Sequence, residues 1–165
     1  MRIGAVIAQA ASAAGLALLL SGCGLGGGPS TVFLLERVTI VATEDANAQS
    51  ATAVDLVFVY DETAVPILQN LTASDWFARR AQIRRDFPDG IGVKSWEIVP
   101  NSVVSNWEVP ENLLENAGGD DAVAGFLFAS YFSPGDHRAR LESRRAMRIE
   151  LERDDFVVGA ADTGL

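Results

Sequence analysis

The chain has 165 residues, with 13 Lys and Arg against 22 Asp and Glu and a formal net charge of −9. That balance excludes binding to nucleic acid through phosphate neutralisation and disfavours adsorption to anionic lipid headgroups. One cysteine, Cys23, and one histidine, His137, leave no disulfide framework and no thiolate or imidazole cluster for a metal.

Residues 1–22 read as a cleaved export signal: Arg2 carries the positive charge, Ala5 to Leu20 form an apolar run, and small residues follow. The run contains Gln9 and Ser12 and is shorter than the roughly 20 residues that span a bilayer as a helix. It ends in Leu20-Ser21-Gly22-Cys23, which resembles the bacterial lipobox. That resemblance implies that Cys23 is lipidated and becomes the mature N-terminus. Each buried methylene contributes about 0.8 kcal/mol, so two or three acyl chains on Cys23 hold the protein firmly in a lipid bilayer. Gly24, rather than an aspartate, follows the cysteine; by the enterobacterial sorting rule this implies the periplasmic face of the outer membrane. Residues 23–30 form the lipidated cysteine and a glycine-rich tether, and residues 31–165 are expected to form one globular domain.

Thr31 to Ala42 is rich in Val, Ile, Leu and Thr and predicts one or two strand segments. Thr43 to Ser50 is polar and small, a loop without a large apolar residue. Val54 to Tyr60 is almost wholly apolar apart from Asp55, as a well-buried strand is. Val65 to Leu71 fits either a helix or a strand. Thr72 or Ser74 caps a helix with Asp75 in its first turn and Trp76, Ile83 and Phe87 at helical spacing, ending before Pro88.

Ile91 to Val99 and Val103 to Val109 read as strands around Trp96 and Trp107. Pro110 to Asp121 reads as a loop or short helix about Leu113 and Leu114. Ala122 to Phe132 is the longest apolar stretch after the signal and predicts a central strand; Ser133 to Asp136 is a turn by composition. Ala146 to Arg153 alternates apolar and charged residues as a half-exposed strand does, and Phe156 to Val158 closes the series. Short strands punctuated by turns, with one good helix, predict a mainly β domain: a β-sandwich with helical insertions.

Three kinds of side chain offer chemistry: the histidine, the paired acids and the arginine clusters. His137, in Pro134-Gly135-Asp136-His137-Arg138, would be the general base of a hydrolase, but no serine sits in a Gly-x-Ser-x-Gly elbow and a turn histidine is more often solvated or locally hydrogen-bonded. Asp120-Asp121 and Asp154-Asp155 lack the alternating pattern of a calcium loop and read as solvated acids. Arg79, Arg80, Arg84 and Arg85 on the capped helix, and Arg138, Arg140, Arg144 and Arg145 later, read as solvated or ion-paired faces. No catalytic residue, metal or cofactor is expected.

The loop containing Asn47, the strand Ala51-Thr52-Ala53-Val54-Asp55-Leu56-Val57-Phe58-Val59-Tyr60 and then Leu71-Thr72-Ala73-Ser74-Asp75-Trp76-Phe77 resemble the outer-membrane lipoprotein of the bacterial type VI secretion system, the TssJ family. Val99-Pro100-Asn101 corresponds to the Pro-Gly turn that ends a later segment in that family, and the chain departs by having Ser50-Ala51-Thr52 where the family commonly has a proline after the loop. The resemblance implies a transthyretin-like sandwich, no catalysis, and a role in tethering the periplasmic domain of an inner-membrane secretion component to the outer membrane. The loop from Glu44 to Ser50 is the expected docking surface, with Glu44, Asp45, Asn47 and Gln49 offering directional hydrogen bonds. Two other classes fit the sequence: another lipoprotein binding module or pilotin-like assembly chaperone, and a periplasmic hydrolase.

Overall fold

The computed structural model describes residues 32–161. The signal, Cys23 and the tether lie outside them. Among the described residues no helix is long and apolar enough to cross a membrane.

Among the described residues, eight strands form two four-stranded sheets. The first has the order β4 (Val103–Glu108), β1 (Arg37–Ala42), β7 (Ala146–Leu151), β8 (Phe156–Ala160); the second has β3 (Ile91–Ile98), β2 (Thr52–Val59), β5 (Ala124–Ala129), β6 (Arg138–Arg140). All pairings are antiparallel except β1 with β7, which runs parallel from Arg37↔Ala146 to Ala42↔Leu151. Apolar side chains from the facing sides of the two sheets make the main core: Val38 and Ile40 of β1, Met147, Ile149 and Leu151 of β7, and Val54, Leu56 and Phe58 of β2 are all 0% exposed. The predicted β-sandwich is what the chain forms.

β2 and β5 are buried on both faces, which is why their sequences run almost without polar residues. Their second face packs under helices. α2 (Val65–Gln69) resolves the ambiguous 65–71 segment, and α3 (Ala73–Asp86) is the capped helix. Thr72 Oγ1 accepts from Asp75 N at 3.1 Å while the Asp75 carboxylate takes the Thr72 backbone N–H at 3.4 Å, a reciprocal cap for two otherwise orphaned donors. Trp76 and Ile83 bury the inner face of α3 against Val57, Phe126 and Phe128, and the Trp76 ring stacks on Phe128 at 4.9 Å. Gly125 in β5 is required by close approach: a Cβ there would overlap the Phe33 ring.

The structure departs from the sequence reading in three places. The 110–121 segment holds one helical turn, α4 (Glu111–Leu114), and a bridge between Glu115 and Asp121, as expected. The 43–50 segment, however, is no simple loop, because Ala46 and Asn47 are buried in a turn, α1 (Ala46–Gln49). Arg138–Arg140 forms an unforeseen edge strand paired with Phe126–Phe128. β5 stops at Ala129, so Phe132, read as strand, stands 76% exposed in the following loop.

Candidate docking surface

One end of the sandwich gathers the segments 43–50, 99–102, 130–137 and 152–155. Backbone hydrogen bonds tie them together: Asn101 N to Thr43 O (3.1 Å), Asn47 N to Glu152 O (3.0 Å) and Ala48 N to Arg153 O (3.2 Å). At the centre, Asn47, Ala48 and Gln49 have φ of 47°, 52° and 65°, three successive non-glycine residues in the left-handed region. That conformation costs roughly 1–2 kcal/mol for an ordinary L-residue and persists only where the surroundings over-determine it.

The Asn47 side chain supplies much of that determination. Its amide nitrogen donates to Ala51 O at 3.0 Å and Ser130 O at 3.2 Å, and its oxygen accepts from Phe132 N at 2.8 Å. An amide group has two donor protons and a carbonyl oxygen, so its donors are both used and its acceptor is engaged. The expectation that Asn47 faces a partner is therefore corrected: at 2% exposure it is an internal latch between the left-handed turn and the loop after β5. Glu44, Asp45 and Gln49 are exposed around it, Asp45 accepting from Thr43 Oγ1 at 2.9 Å.

The residue that the sequence did not nominate is Phe132. Asn47 fixes its backbone while its ring projects into solvent, with Val99 and Val103 also more than half exposed at or beside the same end. An exposed aromatic anchored by a bound backbone has the character of an interface hot spot. The usable signal was an aromatic placed after the end of an apolar strand and directly before a Ser-Pro-Gly turn.

His137 lies behind this loop, 7% exposed, at φ 42°. Nδ1 is 3.0 Å from Asp155 Oδ1, Nε2 is 2.8 Å from Ser133 O, and Ser133 Oγ is 3.5 Å from Nε2. The set has the outline of a Ser-His-Asp triad, but the serine and the histidine Nε2 each have a nearer structural partner: Ser133 Oγ donates to Asp154 O at 2.5 Å, and Nε2 faces the Ser133 carbonyl. Both ring nitrogens meet oxygen acceptors, which suits a cross-brace between the 130–137 and 152–155 loops. Tyr131 adds another, donating to Asp155 O at 2.8 Å. Burial, and then the Asp155 charge, push the Tyr131 phenol well above its ordinary range. Gly135 is needed here, since a Cβ would meet the His137 ring at 2.7 Å.

The arginine faces divide. Arg80 Nη1 reaches Asp55 Oδ2 at 2.9 Å, beside Trp76 Nε1 at 2.8 Å on the same oxygen, so the lone acid of β2 is a buried ligand for the helix. Arg145 pairs with Glu36 at 2.6 Å and Arg144 with Glu142. Asp120 accepts from Asn116 Nδ2 at 3.0 Å. Among the described residues no group of three His, Cys, Asp or Glu is placed to hold a metal ion.

No family model matches the sequence, and no curated protein matches it. Solved structures do match. The type VI secretion lipoprotein TssJ1 from Pseudomonas aeruginosa superposes with a TM-score of 0.55 at 12% identity, covering 81% of this chain and 100% of that one. Serratia marcescens Lip, a membrane-bound component of the type VI secretion system, gives 0.52 at 9% identity over 76% and 96%. A chain of the structure described as the TssM C-terminal domain from EAEC gives 0.51 at 14% identity over 79% and 100%. At such identities the likeness is one of architecture: this chain has the β-sandwich fold seen in the type VI secretion lipoproteins TssJ1 and Lip.

Proposed function

We propose that the protein is a lipid-anchored adaptor of a type VI secretion membrane complex. Acyl chains on Cys23 hold it at the periplasmic face of the outer membrane, and the loop end of the sandwich docks the periplasmic domain of an inner-membrane component. The observation that carries the docking site is the strained turn at Asn47, Ala48 and Gln49 latched to the exposed Phe132. Strain held in place beside a solvent-facing aromatic, with Glu44, Asp45 and Gln49 at the rim, is the arrangement of a preformed recognition surface. The fold shared with TssJ1 and Lip, and the likeness to a chain in a TssM structure, support the choice of partner. The hydrogen bonds of Ser133 and His137 support a non-catalytic reading, because the hydroxyl and Nε2 each serve a carbonyl of the fold.

The test uses Phe132→Ser and Gln49→Lys, which leave Asn47 and its bonds in place. Binding of the purified protein to the periplasmic domain of its cognate inner-membrane component is expected to weaken by about 2 kcal/mol or more for Phe132→Ser, as for a hot-spot residue, with unchanged thermal unfolding. Unchanged affinity would remove the loop end from the interface. Failure of the wild type to bind would favour another lipoprotein module or a pilotin-like chaperone, and a hydrolytic turnover lost in His137→Ala would establish an enzyme.

A further inference from the structure

The sandwich has four sheet edges: β4 and β8 in one sheet, β3 and β6 in the other. A bare edge is a template for another strand, and proteins blunt their edges with charges, bulges or shortness. Three edges here are blunted. In β3 the only lysine of the chain, Lys94, pairs with Leu56 on the inter-sheet side and holds its ammonium 5.2 Å and 5.5 Å from the ring centres of Trp96 and Trp107. β4 breaks register against β1 between Val38 and Ile40, with Asn106 at φ 48°. β6 is three residues long and carries Arg138 and Arg140.

β8 has none of these devices. Phe156-Val157-Val158-Gly159-Ala160 is without charge, proline or register shift, and Val157 is 54% exposed. The direction of the β8 backbone groups that have no partner among the described residues follows from its neighbours. Arg37 N bonds Arg145 O and Thr43 N bonds Leu151 O, so the odd residues of β7 turn their peptide groups toward β1. The even residues Arg148 and Glu150 turn theirs toward β8, where they oppose Gly159 and Val157. Phe156, Val158 and Ala160 are left with N–H and C=O groups pointing away from the sheet.

Charge selects the occupant. Asp154 and Asp155 are exposed and lead directly into Phe156, the Asp155 side chain being 65% exposed even while it meets His137. At the other end of β8 lie Arg148, opposite Gly159, and Arg145 on the same sheet, each already paired with a glutamate. A second copy of this chain would bring a second net charge of −9 and the same acidic pair to the contact. We propose that β8 is a strand-addition site for an extended segment of another polypeptide, β-branched at alternate positions and bearing Lys or Arg at the end that meets Asp154 and Asp155. The main-chain ladder supplies affinity and the acidic end supplies direction. The β8 ladder lies outside the loop end, which it borders at Asp154 and Asp155.

The probe is a fluorescent peptide, Thr-Val-Thr-Val-Thr-Arg-Arg, whose antiparallel docking sets the two arginines beside Asp154 and Asp155, and a twin ending in Glu-Glu. With the full-length lipoprotein in detergent, the basic peptide is expected to bind and to slow amide exchange at Phe156, Val158 and Ala160. The acidic twin is expected to bind at least about tenfold more weakly, and so is the basic peptide to Val157→Lys, whose exposed side chain leaves the fold intact. Val158→Pro, which removes an outward N–H, should act likewise. Absence of binding, equal affinity for the two peptides, or binding that leaves those three amides unprotected would overturn the proposal. So would a dimer in sedimentation that Val157→Lys dissolves, which would give the edge to a second copy.

Discussion

Asn47 and Phe132, 85 residues apart in sequence, are joined by a single 2.8 Å hydrogen bond from a backbone N–H to a side-chain oxygen. With the Asn47 Nδ2 bond to Ser130 O, it sets the two loops in one geometry. Asn47→Ala would strip Ala51 O, Ser130 O and Phe132 N of their partner and leave alanine in the left-handed region. The expected loss is about 2–4 kcal/mol, read as a shift in the urea midpoint without a change in slope. A loss under about 0.5 kcal/mol would show that the backbone bonds to Glu152 and Arg153 hold the turn unaided.

The Asp55 carboxylate is 1% exposed, and one of its oxygens serves both Trp76 and Arg80 while the other has no protein partner. Arg80→Ala should therefore cost more than the 0–1 kcal/mol of a surface ion pair, about 2 kcal/mol, because it leaves a buried acid short of its cation. Phe128→Ala, which removes the ring stacked on Trp76, should cost about 3–5 kcal/mol. Equilibrium unfolding of both variants and of their double mutant checks these values. Strict additivity would indicate that α3 and the strands beneath it do not share one packing unit.

The pH profile has two limbs. Hydrogen bonds from the Thr72 side chain and backbone hold the Asp75 carboxyl below the usual aspartate range, so its contribution is present above that range and is lost as pH falls through the lowered value. Tyr131 is held above its ordinary value of 10.0 by burial first and by Asp155 second; its contribution is complete below pH 10.0 and is lost as pH rises beyond it. Asp75→Asn should flatten the acid limb of thermal stability and Tyr131→Phe the alkaline one. An alkaline limb unchanged in Tyr131→Phe would assign it to Tyr60, whose phenol burial also raises.

Cys23→Ser tests the anchor apart from the fold. The expected product is folded, uncleaved or soluble, and missing from the outer-membrane fraction. A mutant with its signal removed that still sediments with the outer membrane would end the anchor proposal, and recovery of the wild type with inner-membrane markers would move its location.

Burial on two faces made β2 and β5 legible, since a strand with no solvent side needs a run of apolar residues rather than an alternation. The α3 start was legible because a Thr72/Asp75 pair is a local solution to orphaned N–H groups. β6 was not, because Arg138-Ala139-Arg140 has too few residues to show a period and takes its structure from its neighbour β5. The turn at Asn47 lacked a glycine to announce positive φ; its conformation depends on Ser130, Phe132, Glu152 and Arg153, all distant in sequence. Phe132 was read as strand because an aromatic continues an apolar run, while the end of β5 is decided by where its partner stops.

The parallel pairing of β1 with β7 carries a kinetic consequence. Glu36 and Arg145, whose side chains meet at the head of that pair, are 109 residues apart. Closing so long a loop is entropically slow, and β1 gains this inner neighbour only once nearly the whole domain has been synthesised. The Val38 and Ile40 face of β1 can pack on β2, which is near in sequence, before that edge is filled, so the parallel ladder joins a sandwich already partly closed. A folding rate limited by this contact follows from the strand order.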